Sequence, residues 1–368
     1  MTSSFTIRAT YAKHQLKFKF DAGTSRGVLK VKDTFYIKVV SDMFPGVIGY
    51  GEAGPLPRLS VDDRPDFEQQ IETLCERISG ITLPTAEQDL MKEVEDIVPP
   101  ELPSVRFALE VALLDLMNGG TRKLFENDFY KGTESITING LIWMGDREFM
   151  LEQIQQKLRE GYNCIKMKIG SIDFEQEYRL LSFVREQFGP DQITLRVDAN
   201  GAFSEAEAMN KLDRLAELQI HSIEQPIQQG QIEPMSRLCR NSPVPIALDE
   251  ELIGVHELEE KIHLLEQIRP PFIILKPTLL GGIQSTRTWI QLAEERGIGW
   301  WMTSALESNI GLNAIAQLTS TCLPDLPQGL GTGQLYHNNI DSPLTINNGK
   351  LVYDQTQTWG EIQSFFIT

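Results

Sequence analysis

Seven positions recur at nearly one interval through the second half of the chain. Lys166, Asp198, Glu224, Asp249, Lys276, Ser304 and Gly331 each close a short predicted strand, and they stand 32, 26, 25, 27, 28 and 27 residues apart. A β-strand, a crossover helix and two short loops need about 30 residues. The strands are NCIKMKIG, ITLRVDANG, HSIEQP, PIALDE, FIILKP and GIGWWMTS. Helical patterns fill the gaps. Asp146 can cap a helix whose stripe is Met150, Ile154 and Leu158 and whose stop is Gly161. DFEQEYRLLSFVREQFG reads as the next helix, and Ser204 with Glu207 forms a capping box before AEAMNKLDRLAEL. Seven or eight such units close a parallel barrel, and a doubly wound open sheet is the alternative. No G-x-G-x-x-G follows any strand, which counts against a dinucleotide-binding open sheet.

The first third has a different texture. FTIRATYAKHQLKFKF and FYIKVV alternate apolar and polar residues, and VIGYGEAGPLPR closes with turn residues, so a β-meander is expected. DFEQQIETLCERI, AEQDLMKEVEDIV and VRFALEVALLDLMNGG then read as helices. Strands followed by helices indicate an α+β module. The last segment, KLVYDQTQTWGEIQSFF, leaves the repeat and is expected to pack back on that module.

Composition excludes several functions. Asp and Glu outnumber Lys and Arg by 51 to 34, a net charge of −17. Such an excess argues against a nucleic-acid partner, which needs basic patches, and against an anionic membrane surface. The four cysteines lie far apart with no C-x-x-C, so neither a disulfide framework nor a zinc knuckle is indicated. The opening MTSSFTIRATYAKHQ lacks the apolar core of a signal peptide. The most apolar stretch, Val105 to Met117, is broken by Arg106, Glu110 and Asp115, so it does not read as a membrane span. A soluble cytoplasmic protein is expected, and the sequence leaves an oligomer open.

Active sites of parallel barrels lie at the C-terminal ends of the strands. In CIKMKI, Lys166 and Lys168 share the face opposite Ile165, Met167 and Ile169. Solvated lysines on an edge strand are the plainer alternative. Three successive strand ends then present one carboxylate each, Asp198, Glu224 and Asp249. Each alone would read as a helix cap. Together they suit a hard divalent cation such as Mg²⁺, which takes few carboxylates plus water and substrate oxygens. Glu251 shares the parity of Asp249, so the third ligand stays open at this point. Lys276 lies one unit further on, and Lys168 and Lys276 fall on nearly opposite barrel strands. Near a dication and a second ammonium a lysine is expected to have a lowered pKa, which supplies a neutral amine as base. The chemistry these parts suggest is proton abstraction alpha to a carboxylate, with the metal stabilising the charge that develops.

The order Lys-x-Lys, Asp, Glu, Asp, Lys resembles the enolase superfamily, in its muconate-lactonizing subgroup, over nearly the whole chain. The matching text is GTSRGVL, GYGEAGPLPRLS, VRFALEVALLDL, IKMKIG, RVDANGAF, IEQP, ALDEEL, LKPTLLGG and SALESNIG. Within the subgroup it is most similar to the o-succinylbenzoate synthase family of menaquinone synthesis. Dipeptide epimerases usually carry Asp-x-Asp at the eighth strand to hold an ammonium, and here that place reads Gly331-Thr332-Gly333. The resemblance implies a modified (β/α)8-type barrel over residues 126–345. An N-terminal α+β capping domain over residues 1–125 would be joined by a tail, 346–368. It implies Mg²⁺ on Asp198, Glu224 and Asp249, with Lys168 as the base and Lys276 as the opposed cation. Lys166 would position a small-molecule carboxylate substrate, Ser304 would receive its succinyl carboxylate, and the loop around Arg26 would close the site. The implied reaction is dehydration of a cyclohexadiene carboxylate. A racemase or epimerase of N-acylated amino acids, or another cycloisomerase, is the alternative, because all share the first proton abstraction. A non-catalytic binding protein is disfavoured by the full set of lysines and carboxylates. The five histidines show no metal spacing, Trp300 and Trp301 read as core, and the roles of Glu52, Glu250 and Glu251 stay undecided.

Overall fold

The alternating segments at the N-terminus form long antiparallel strands. The computed structural model describes residues 4–24, 27–322 and 325–366. Strands β1 (Ser4–Thr24), β2 (Gly27–Ser41) and β3 (Ile48–Ala53) make the meander, and β4 (Thr82–Pro84) adds to the free edge of β1. The buried alternates Phe5, Ile7, Ile37 and Val39 face helices α1 (Phe67–Ile78), α2 (Glu87–Ile97) and α3 (Pro103–Met117). Helix α3 lies directly on β3. A Cβ on Gly51 would stand 1.8 Å from the Ala108 carbonyl oxygen, so only glycine allows this approach.

Helix α3 is buried on every side, between this sheet and the barrel. The charges that break its apolar run each meet a partner. Asp115 accepts the Tyr50 N–H at 3.0 Å and pairs with Arg122 at 2.7 Å, and Arg106 donates to the Val98 carbonyl at 2.8 Å.

The repeat forms a seven-stranded parallel sheet in strict chain order. After β5 (Ile136–Thr137) come β6 (Gly140–Ile142), β7 (Cys164–Lys168), β8 (Thr194–Asp198) and β9 (Ser222–Glu224). Then follow β10 (Ile246–Leu248), β11 (Phe272–Leu275) and β12 (Gly299–Met302). The outer layer is α4 (Arg147–Arg159), α5 (Phe174–Gln187), α6 (Glu205–Ala216), α7 (Ile232–Asn241) and α8 (Leu258–Ile268). It continues with the short α9 (Pro277–Leu280), α10 (Gly282–Glu294) and α11 (Asn309–Cys322). Local signals act as expected. Asp146 accepts the Phe149 N–H at 2.9 Å, and Glu207 accepts the Ser204 N–H at 3.1 Å.

The eighth position is reduced to two bridging residues. The Gln328 N–H donates to Thr137 at 2.8 Å and the Gly329 N–H to Met302 at 2.7 Å, which closes the ring. Inside the barrel, Trp301 packs with Ala247 and Ile274, and the Arg196 guanidinium stacks 4.0 Å from the Trp301 ring centre. The tail divides. Its hairpin, β13 (Leu344–Asn347) and β14 (Lys350–Tyr353), pairs with β5, beside the barrel entry. Only its last residues reach the meander, where Phe365 stacks 4.6 Å from His14 and the Tyr50 hydroxyl donates to Gln363 at 2.5 Å.

Candidate active site

Strand parity sorts β7 as expected. Ile165 and Met167 pack outward against the helices, while Lys166 and Lys168 face the cavity at the strand ends. β7 lies between β6 and β8, so it is no edge strand, and Lys166 is 5% exposed. Its Nζ lies 2.5 Å from Glu224 Oε2 and 3.1 Å from Asp198 Oδ2. Lys168 Nζ lies 2.9 Å from both Asp198 Oδ2 and Asn200 Oδ1. Ladder register sets Lys168 beside Asp198 and Asp198 beside Glu224. Asp249 follows β10 and accepts from Lys276, which follows β11.

Glu250 and Glu251 have partners of their own beside this cluster. Glu250 accepts from Asn200 Nδ2 at 3.0 Å. Glu251 accepts from Gln225 Nε2 at 2.9 Å and from the Gly230 N–H at 2.8 Å. Asp249, rather than Glu251, therefore meets the lysine. Gln225 holds φ 39° and Asn200 φ 44°, left-handed backbone immediately beyond the carboxylate strands.

Crowding of charge governs the electrostatics. Burial raises the Asp198 carboxyl, but the Lys166 and Lys168 ammoniums outweigh it and hold that group well below the usual carboxylate range. Burial pushes Glu224 up to about 7 against the pull of Lys166, with Asp198 and Asp249 adding repulsion. Lys166 is raised, because Asp198, Glu224 and Asp249 overcome its burial. Lys276 is raised likewise by Asp249 and Glu250. Where the carboxylates pair with Lys166 and Lys276, opposite charge favours the protonated amine.

Among the described residues, no three Asp, Glu, His or Cys side chains converge on one point as arranged. The donor set nevertheless suits a hard dication. It offers carboxylate oxygens on adjacent strands, and Glu224 Oε1 is buried without a hydrogen-bond partner.

A cavity of about 390 Å³ opens above these groups and takes in Lys166, Lys168, Asp198 and Lys276. Phe20, Leu29 and Leu56 from the N-terminal unit cover it, and Phe20 meets Trp143 with ring centres 5.6 Å apart. Ser304 lines it beyond β12. The Ser304 hydroxyl donates to Glu307, and it accepts from Thr332 Oγ1 at 2.7 Å and from the Leu306 N–H at 3.2 Å. Arg26 lies outside the described residues.

The sequence left Glu52 undecided and gave Glu307 and Arg58 no role. Glu52 accepts the Ser308 N–H at 2.8 Å, the Ser308 hydroxyl at 2.6 Å and the Gly311 N–H at 2.9 Å. A carboxylate from β3 thus caps α11 of the barrel and ties the two units together. Glu307 accepts from Thr278 as well as Ser304, bracing the far wall. Arg58, in the turn after β3, also lines the cavity. The turn-rich text of GPLPRLS was the signal for a loop, but nothing in it pointed inward.

Comparison with known proteins agrees with this arrangement. The family described as enolase C-terminal domain-like matches residues 150–357. The chain is 48% identical to the o-succinylbenzoate synthase of Desulfotalea psychrophila, over 94% of this chain and 98% of that protein. The crystal structure of MenC from Desulfotalea psychrophila superposes with a TM-score of 0.84 at 43% identity, covering 94% of this chain and 99% of that one. The N-succinylamino acid racemase of Thermus thermophilus is 29% identical, over 80% of this chain and 77% of that protein. With these matches added to a capped barrel bearing lysines and carboxylates at its strand ends, the chain belongs to the enolase superfamily and, within it, to the o-succinylbenzoate synthase family.

Proposed function

We propose that this protein dehydrates 2-succinyl-6-hydroxy-2,4-cyclohexadiene-1-carboxylate to o-succinylbenzoate, the step of menaquinone synthesis its family carries out. The observation that supports the reading is one covered cavity lined by Lys166, Lys168, Asp198 and Lys276, with Glu224 and Asp249 paired to its lysines. Residues 1–125, joined by the last residues of the tail, act as the cap over the barrel of residues 126–345. No helix among the described residues is long and apolar enough to cross a membrane, and a cytoplasmic location is part of the proposal.

Asp198, Glu224 and Asp249 would hold Mg²⁺, which would supply positive charge for the substrate carboxylate as negative charge grows on it. Lys168, as the neutral amine, takes the proton from the ring carbon that bears the carboxylate. The C–H electron pair enters the ring, the C–O bond at the hydroxyl-bearing carbon breaks, and the ring becomes aromatic. The Lys168 ammonium returns its proton to the departing hydroxide, so water leaves and the neutral amine is restored. Lys276 stays protonated across the cavity and stabilises developing charge. Lys166 orients the ring carboxylate, and Ser304 and the Arg26 loop contribute to the pocket around the succinyl arm. Water is excluded by the apolar cover of Phe20, Leu29 and Leu56.

Because Lys168 and Lys276 line the same cavity, a second reading is open: racemisation of an N-succinyl amino acid, with one lysine per face. Steady-state kinetics on both substrates decides. The wild type should show a far higher kcat/KM for the diene. An equal or higher value for an N-succinyl amino acid would make racemisation the primary activity.

A further inference from the structure

The proposed substrate carries a second carboxylate, at the end of a flexible arm. Five cations are among the cavity's described lining residues, Arg58, Lys157, Lys166, Lys168 and Lys276. Lys166 and Lys168 are matched to Asp198 and Lys276 to Asp249. Lys157 pairs with Glu160 at 2.7 Å and lies 4.9 Å from the Tyr162 ring centre. Among the described lining residues, Arg58 is the cation whose side chain has no carboxylate partner. The Ser304 hydroxyl adds no positive charge there, and its single proton is directed at Glu307.

The backbone holds Arg58 in place. It sits at φ 62°, a left-handed conformation that glycine adopts freely and arginine does not. The turn around it is closed by the Ser60 N–H to Leu56 at 3.0 Å, the Leu56 N–H to Ser60 Oγ at 2.8 Å and the Arg58 N–H to Asp63 at 2.5 Å. Gly27 leaves room for the guanidinium: a Cβ there would stand 3.1 Å from Arg58 Nη1. Arg58 is exposed, and its strained backbone in a braced turn, together with a guanidinium at the cavity wall that has no carboxylate partner, points to a ligand anion.

We infer that Arg58 is a specificity-determining residue that receives the distal carboxylate of the substrate from the cap side of the cavity. The inference rests on the dehydration reading. A guanidinium meets a carboxylate through two parallel N–H donors, so the contact selects length as well as charge.

The test uses the whole protein with Mg²⁺, as wild type, Arg58→Gly and Arg58→Lys. Calorimetry measures binding of o-succinylbenzoate and of its analogue with the succinyl carboxylate converted to an amide. Glycine suits the left-handed backbone, so Arg58→Gly should fold at least as well, read by its thermal midpoint. Losing a charged hydrogen-bond partner should weaken binding of the acid roughly ten- to a hundredfold, with KM for the diene rising in step and kcat little changed. Arg58→Lys should recover part of the loss. The amide should bind wild type and Arg58→Gly alike. Unchanged binding of the acid, or equal weakening of acid and amide, overturns the role of Arg58. A wild type that binds the product but makes none from the diene overturns the dehydration reading instead.

Discussion

Asp198 carries the heaviest electrostatic load of any carboxylate in the cluster. It meets both lysines of β7, at 3.1 and 2.9 Å, and burial alone would make it a weak acid. Asp198→Asn removes a proposed Mg²⁺ ligand and leaves Lys166 and Lys168 short of a counter-charge. Its Mg²⁺ affinity, read by calorimetry, should fall by more than the roughly 10- to 100-fold that losing an outer partner costs. Chelator should abolish wild-type activity and added Mg²⁺ should restore it, while the variant stays inactive. Full activity in excess chelator would remove the metal from the account. Spacing and parity made these residues legible in the sequence, because each closes a strand and strands alternate their faces. Glu52, Glu251 and Arg58 were not legible. The partners of Glu52 lie 256 and 259 residues further along the chain, and no local pattern encodes such a contact.

At the scale of elements, a buried carboxyl joins α3 to α10. Glu110 accepts the Ile283 N–H and, at 3.4 Å, the Gln284 N–H, at the start of α10. Burial pushes Glu110 up to about 8, against the help of these two donors and of Arg106. In the unfolded chain an ordinary glutamic acid ionises near pH 4.3. Below that pH both states hold the proton. As pH rises toward 8 the unfolded chain has released it and the folded one has not, so stability falls through this window. Each unit of difference is worth about 1.4 kcal/mol. Glu110→Gln keeps an acceptor for the Ile283 N–H and removes the titration. Between pH 5 and 8.5 the melting temperature of the variant, relative to wild type, should therefore rise by several degrees. A constant difference across that range would show that Glu110 is ionised in the fold. Most helices and barrel strands could be read from periodicity and caps. The eighth strand position could not, because two bridging residues, Gln328 and Gly329, carry too little pattern. The short β4 and β5 were missed for the same reason.

The whole molecule joins two units whose shared surface is the site. The barrel supplies charge at its strand ends, and the N-terminal unit supplies the apolar cover. The cluster of Leu16, Phe18, Leu29 and Leu56 packs on Trp143, Leu279 and Leu306 across that boundary. The Glu52 cap on α11 fixes the same boundary by hydrogen bonds. The barrel and the α+β texture were foreseeable from repeat length and element order. The path of the tail was only partly so, since its hairpin stays with β5 and its end alone crosses to Tyr36 and His14. In the proposed reaction one group, the Lys168 amine, starts dehydration as the base. Single-turnover conversion of the diene by Mg²⁺-loaded wild type and Lys168→Ala tests it most directly. General base catalysis contributes roughly 10²- to 10⁴-fold, and the variant should lose at least that much in the rate of o-succinylbenzoate formation while still binding the product. A Lys168→Ala protein that forms product within about tenfold of the wild-type rate, short of that range, would contradict the account.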